Sequence, residues 1–216
     1  MALIQGKLGD IPQDAVILSE KEALDYQTKI LSKWKNSSDT FGFKYGSSVL
    51  VGSTVLTGLY LNNFLRGKLK LLHYGRASSY LPICVIPSAV GFLLHTEMVL
   101  KDVILQKTGT CPICLELRSA AIQAGCGFIF PFISASLSNL LLANKYVTAR
   151  LPSLINEPGA VFKFMVTKMK PIQNILFAMF VGQALLGSAV TYFEAKSVYT
   201  VNEKLAKLEY DLEHKH

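Results

Sequence analysis

The sharpest chemical spacing in this 216-residue chain is Cys111-Pro-Ile-Cys114. Two thiols three residues apart serve as half of a tetrahedral zinc site, as a thiol-disulfide couple, or as two independent thiols. Zinc would need two more ligands, and the remaining cysteines, Cys84 and Cys126, fall inside long uncharged runs. A thioredoxin-like enzyme would set the pair in a βαβ pattern, which this sequence lacks. An oxidoreductase would also need a setting that stabilises a thiolate, for which Lys107 and Arg118 are the nearby cations. A structural disulfide and a pair of reduced thiols remain, and the compartment decides between them. His95 is a second candidate, for handling protons. No acid lies near it within its own run, so it reads as a hydrogen-bonded residue close to a membrane boundary. No metal and no cofactor are expected.

The elements that must position these groups are four uncharged stretches. They run from Tyr45 to Leu65 (21 residues), Ala77 to Thr96 (20), Ser119 to Asn144 (26) and Pro171 to Phe193 (23). A hydrocarbon core of ~30 Å needs ~20 helical residues, so each is long enough to cross. Charged residues make up 17% of the chain, and mean hydropathy is +0.34. Soluble buried helices are mostly amphipathic, which these runs are not. The fold class is therefore an all-α membrane protein with four transmembrane helices. An N-terminal segment over 1–44, a four-span bundle over 45–193 and a helical tail over 194–216 are the expected divisions.

Residues 1–44 carry six lysines against six acids and no arginine, which fits neither a secretory signal nor a mitochondrial presequence. Ser19-Glu-Lys-Glu22 predicts a capping box and a helix that Asn36 or Ser37 ends. Ala23, Tyr26, Ile30 and Trp34, with Leu31 beside them, predict its apolar face, to lie on headgroups or against the spans. Pro82 and Pro87 should bend the second span, and Pro131 should break the regularity of the third. Ser48 and Gly52, Thr54 and Gly58, and Ala178 and Gly182 are small pairs four residues apart that suit close helix packing. Past Glu194, taken as the end of span four, Val198, Val201, Leu205, Leu208 and Leu212 follow a 3.5-residue period. That pattern suits a coiled-coil seam or a helix folded back on its own protein.

With four crossings, both termini share a side with the cysteine loop, and that side carries 13 Lys and Arg against 14 acids. The opposite side carries 9 against 1, and seven of the nine form two clusters: Arg66, Lys68, Lys70 and Arg76, then Lys163, Lys168 and Lys170. Both suit anionic lipid or an acidic protein surface, the arginines through their planar forks. By the positive-inside rule, which counts Lys and Arg, the two sides are nearly equal; it is the net +8 that assigns the basic side to the cytoplasm or matrix and puts Cys111 and Cys114 on the more oxidising side. No span interior holds Asp, Glu, Lys or Arg, which disfavours ion or proton transport. A small channel or carrier, and a membrane thiol oxidoreductase, are the alternatives to a binding scaffold.

From about Ile30 to the C-terminus the chain resembles the transmembrane protein 126 family of mitochondrial inner-membrane proteins. An ordered series carries the resemblance: Leu65-Arg66 leaving span one, Arg76, Cys111-x-x-Cys114 before Arg118-Ser119, Pro131, Lys145-Tyr146, Leu151-Pro152 and Pro171. It implies a non-enzymatic assembly factor for respiratory complex I. Such a protein would bind matrix assembly factors and immature membrane-arm subunits in a lipid bilayer, with no nucleic acid partner. With the basic side assigned to the matrix by its net charge, the termini would face the intermembrane space.

Overall fold

The computed structural model describes residues 18–106, 111–149 and 157–214. The apolar residues 15–17, Lys107 and the turn expected at Leu151-Pro152 lie outside them. Every element among the described residues is helical. We number them α1 (Glu20–Lys33), α2 (Phe41–Lys68), α3 (Arg76–Leu105), α4 (Pro112–Lys145), α5 (Pro158–Met169) and α6 (Gln173–Glu213). α2, α3, α4 and a stretch containing α5 and α6 are long and apolar enough to cross a membrane, so the protein is multi-pass.

α2 starts at Phe41 and α6 runs unbroken from Gln173 to Glu213. Compact packing divides the chain into one unit of residues 1–49, 94–119 and 188–216, and another of 50–93 and 120–187. The first gathers the described ends of the chain with the cysteine turn. The second gathers the described parts of both basic connections.

The prolines act by widening helices rather than stopping them. Before Pro87 the Ile86 amide reaches back five residues to the Leu81 carbonyl, and before Pro131 the Phe130 amide reaches Gly125 in the same way. A proline has no amide to give, and its ring crowds the carbonyl four residues back; a π-turn just ahead of it opens the helix there. A third π-turn, Thr96–Leu100, has no proline and begins directly after His95.

In the first unit, the capping box forms as the sequence predicts, with the Ser19 amide donating to Glu22 (2.8 Å) and the Glu22 amide to Ser19 Oγ (3.4 Å). The helix stops earlier than expected, at Lys33. Its buried face is Ala23, Gln27 and Leu31, with Tyr26 exposed, because a polar residue, Gln27, takes the central inward position. This face lies against the last turn of α3, where Lys101 also pairs with Glu20 at 3.4 Å. Val198 and Val201 of the predicted seam are fully buried, whereas Leu208 and Leu212 are exposed. The helix therefore packs on its own unit through the first half of the seam only.

In the second unit, Leu61, Leu65, Ile83, Cys84, Ala135, Leu140, Met165 and Met169 form the core. Two polar groups cross it. Gln123 Nε2 donates to Gln183 Oε1 (2.7 Å), and Gln183 Nε2 donates to Thr57 Oγ1 (2.7 Å). Asn139 Nδ2 donates to Asn62 Oδ1 (2.9 Å), and Asn62 Nδ2 to Ser79 Oγ (3.1 Å). Hydrogen bonds between membrane helices are worth about 0.6 kcal/mol on average, while leaving a buried partner unpaired costs about 1–3 kcal/mol. Gln183→Leu should therefore destabilise the protein more than Gln183→Glu under conditions where the added acid is protonated, as read by thermal unfolding in detergent. Equal melting of the two variants would show that the network contributes nothing.

Candidate functional site

The strongest constellation in the first unit joins His95, Glu194 and Ser119. His95 Nε2 lies 2.9 Å from Glu194 Oε2, and His95 Nδ1 lies 3.3 Å from Ser119 Oγ. Glu194 and Ser119 are 0% exposed and His95 is 2% exposed. α3 delivers the imidazole from the residue just before its second π-turn, a feature that re-aims side chains and recurs at functional sites. α6 delivers Glu194 from a continuous inward stripe that includes Gly187, Val190, Thr191, Ser197, Val198 and Val201.

α2 makes room for the carboxylate. A methyl placed on Gly46 would meet Glu194 Oε1 at 2.6 Å and Val190 Cγ1 at 2.9 Å; one on Gly42 would meet the Phe193 carbonyl oxygen at 2.2 Å. Gly42-x-x-x-Gly46 is therefore the close-approach surface in this unit. Glu194 Oε1 has no hydrogen-bond partner, which concentrates the carboxylate's interaction on His95.

The order serine, histidine, glutamate is that of a hydrolytic triad. Ser119 Oγ is sealed from solvent, however, and a nucleophile must reach a carbonyl carbon. What the geometry supports is a single proton held between two bases. The hydrogen bond gives each of the two buried groups a partner, and so avoids the cost of an isolated buried charge. Glu194 supplies the acid that His95 lacked in the sequence, from a helix that continues past the uncharged run. The stripe of Val198 and Val201, carried back at steps of three and four, would have found it.

The other predicted positions divide sharply. Arg66 is not free to grip a partner: it is 5% exposed, and its guanidinium donates to the carbonyls of Leu72 and Tyr74 (2.8 Å each) and to Ser79 Oγ (3.4 Å). α2 ends with Lys70 in the left-handed region (φ 54) and the Leu71 amide bonded to the Arg66 carbonyl (3.0 Å). This terminal turn leaves loop carbonyls that the arginine satisfies. Lys68, Lys70, Arg76, Lys163 and Lys170 are exposed, and Lys168 is half-buried over the Phe164 ring (5.3 Å). Phe164 also packs on the cluster of Leu69, Leu71 and Ala143, so α5 brings its lysines to the same end of the second unit as Lys68 and Lys70.

Close packing expected at Ser48 with Gly52 and at Ala178 with Gly182 is not found among the described residues. All four are exposed, and a methyl on Gly52 or Gly182 would meet nothing within 4 Å. Apolar neighbours at these positions look outward. Thr54 and Gly58 do pack, the latter so closely that a methyl would meet the Ile83 carbonyl oxygen at 2.8 Å. Cys111 and Cys114 are free, exposed thiols, and no cluster of three metal-ligating side chains occurs among the described residues.

No solved structure matches this chain. The chain is 34% identical to a Drosophila melanogaster protein named Transmembrane protein 126, over 216 residues that are 100% of this chain and 97% of that relative. The family model described as Transmembrane protein 126 matches residues 22–210, a span that runs from the first turn of α1 almost to the end of α6 and holds all three members of the buried constellation. The chain belongs to the transmembrane protein 126 family.

Proposed function

We propose that this protein is a non-enzymatic scaffold of the mitochondrial inner membrane that assists assembly of the membrane arm of respiratory complex I. In this reading it binds matrix assembly factors and immature membrane subunits. The polar side chains that pair within each unit, Gln123 with Gln183, Asn62 with Asn139 and His95 with Glu194, serve to hold the helices in place. The observation that carries the reading is the exposed basic end of the second unit, where Phe164 of α5, beneath Lys168, packs on Leu69 and Leu71, which flank Lys70 just past α2. Such a surface suits an acidic or amphipathic protein face presented at the membrane. Anionic lipid competes for the same charges, at about 1 kcal/mol for each cation near the surface.

The test is charge reversal at the exposed positions, leaving Arg66 intact. A tagged chain carrying Lys68→Glu, Lys70→Glu, Lys163→Glu and Lys170→Glu should accumulate normally and yet recover complex I assembly proteins from mitochondria at least about tenfold less well. Salt-resistant recovery equal to wild type, together with lost binding to anionic vesicles, would replace the protein partner with lipid.

A further inference from the structure

The cysteine pair sits where a reactive thiol would be placed. Cys111 occupies the cap position of α4: its carbonyl accepts the amides of Cys114 (3.0 Å) and Leu115 (3.2 Å), and Pro112 starts the helix. Cys114 follows one turn later, and both thiols are free and exposed. Cys84 and Cys126, by contrast, are buried among apolar helices.

The Cys111 sulfur is held below the ordinary thiol range first by the Cys114 amide, then by the Cys114 thiol and the Ile113 amide. The first amides of a helix also carry its partial positive charge. Arg118, the cation expected to supply this setting, is instead bound to the Met98 carbonyl (2.7 Å) and Asp102 (3.1 Å). The absence of a βαβ pattern is thus offset by α4 itself, which provides the helix start that activates such a pair in other folds.

We propose that Cys111 and Cys114 form a thiol-disulfide exchange site whose co-substrate is an accessible disulfide of another polypeptide. The Cys111 thiolate attacks one sulfur of that disulfide; an S–S bond forms to Cys111, the substrate S–S bond breaks, and the leaving sulfur departs as a thiolate that takes up a proton. The Cys114 sulfur, giving up its proton, then attacks Cys111 in the mixed disulfide and expels the second substrate sulfur. The pair has lost two electrons and become a disulfide, and the substrate has gained two electrons and two protons. The reverse sequence oxidises a substrate dithiol. This exchange goes beyond the non-enzymatic part of the scaffold reading, and its outcome is separate from that of the basic surface of the other unit, on which the scaffold role rests.

The experiment uses the full chain in detergent with two probes, glutathione disulfide and a disulfide-linked peptide, with products trapped by alkylation and located by mass spectrometry. Wild type should release two thiols per chain and end with a Cys111–Cys114 disulfide. Cys114→Ser should release one thiol and stop as a mixed disulfide on Cys111, and Cys111→Ser should react at least about tenfold more slowly. The alkylation rate of Cys111 should reach half its maximum below the ~8.5 of an ordinary cysteine. Each variant is first checked for wild-type helical content, and serine at these exposed positions should preserve it. Equal rates for Cys111→Ser and wild type, or no mixed disulfide with Cys114→Ser, would overturn the proposal. Reaction with glutathione disulfide but not with the peptide would overturn its polypeptide substrate.

Discussion

A Glu194→Leu chain should accumulate at a small fraction of the wild-type level and melt well below it in detergent. The substitution leaves His95 buried with its Nε2 facing hydrocarbon, where Glu194 Oε2 now lies at 2.9 Å. Orphaning a neutral buried polar group costs about 1–3 kcal/mol, whereas stranding one charged member of a buried pair costs about 3–5 kcal/mol. The size of the loss therefore reports which form of the pair the fold holds. Replacing both members by apolar residues of similar size is often neutral or favourable, so His95→Leu with Glu194→Leu should recover most of the loss. A double variant whose loss equals the sum of the two singles would show that the residues do not interact.

The second large effect belongs to Gly42. Alanine there would place its methyl 2.2 Å from the Phe193 carbonyl oxygen and 2.5 Å from the carbonyl carbon, both of them backbone atoms that move only if α6 moves. Overpacking of this kind costs about 1–3 kcal/mol or more. Gly46→Ala meets side-chain atoms instead and should cost less, while disturbing Glu194 directly. Gly52→Ala meets open space and should gain up to about 1 kcal/mol from helix propensity. Unfolding temperatures should thus rise in the order Gly42→Ala, Gly46→Ala, wild type, Gly52→Ala. A Gly42→Ala protein as stable as Gly52→Ala would remove the close approach of α2 and α6 from the account.

The charge-free runs made the four long helices legible, because hydrocarbon imposes a length that charge alone would violate. Ser19 and Glu22 made the start of α1 legible for an equally local reason. Which small residues touch a neighbour was not legible: Gly42-x-x-x-Gly46 and Ser48-x-x-x-Gly52 have the same spacing, and only the rotation of α2 separates the packed pair from the outward one. Arg66 misled because a cation beside a membrane and a cation capping a helix end share one sequence signature. Glu194 was hidden by its position at the edge of an uncharged run, since a charge there reads as a boundary until the helix is seen to continue. Gln123 and Gln183 were overlooked because neither carries charge, although each is an amide isolated in a long apolar run and must find a partner inside it.

The three π-turns carry a consequence for how the length of this chain can vary. Each winds one additional residue into a helix whose flanks keep their facing, so removing a residue within 81–85, 96–100 or 125–129 would restore regular winding on the spot. Removing a residue elsewhere in a span, between Ser88 and Leu94 for instance, turns everything beyond it by about 100°. That rotation would carry His95 away from Glu194. One-residue gaps between members of the family should therefore collect at these three points, and the stretches between them should keep a constant length even where their side chains differ.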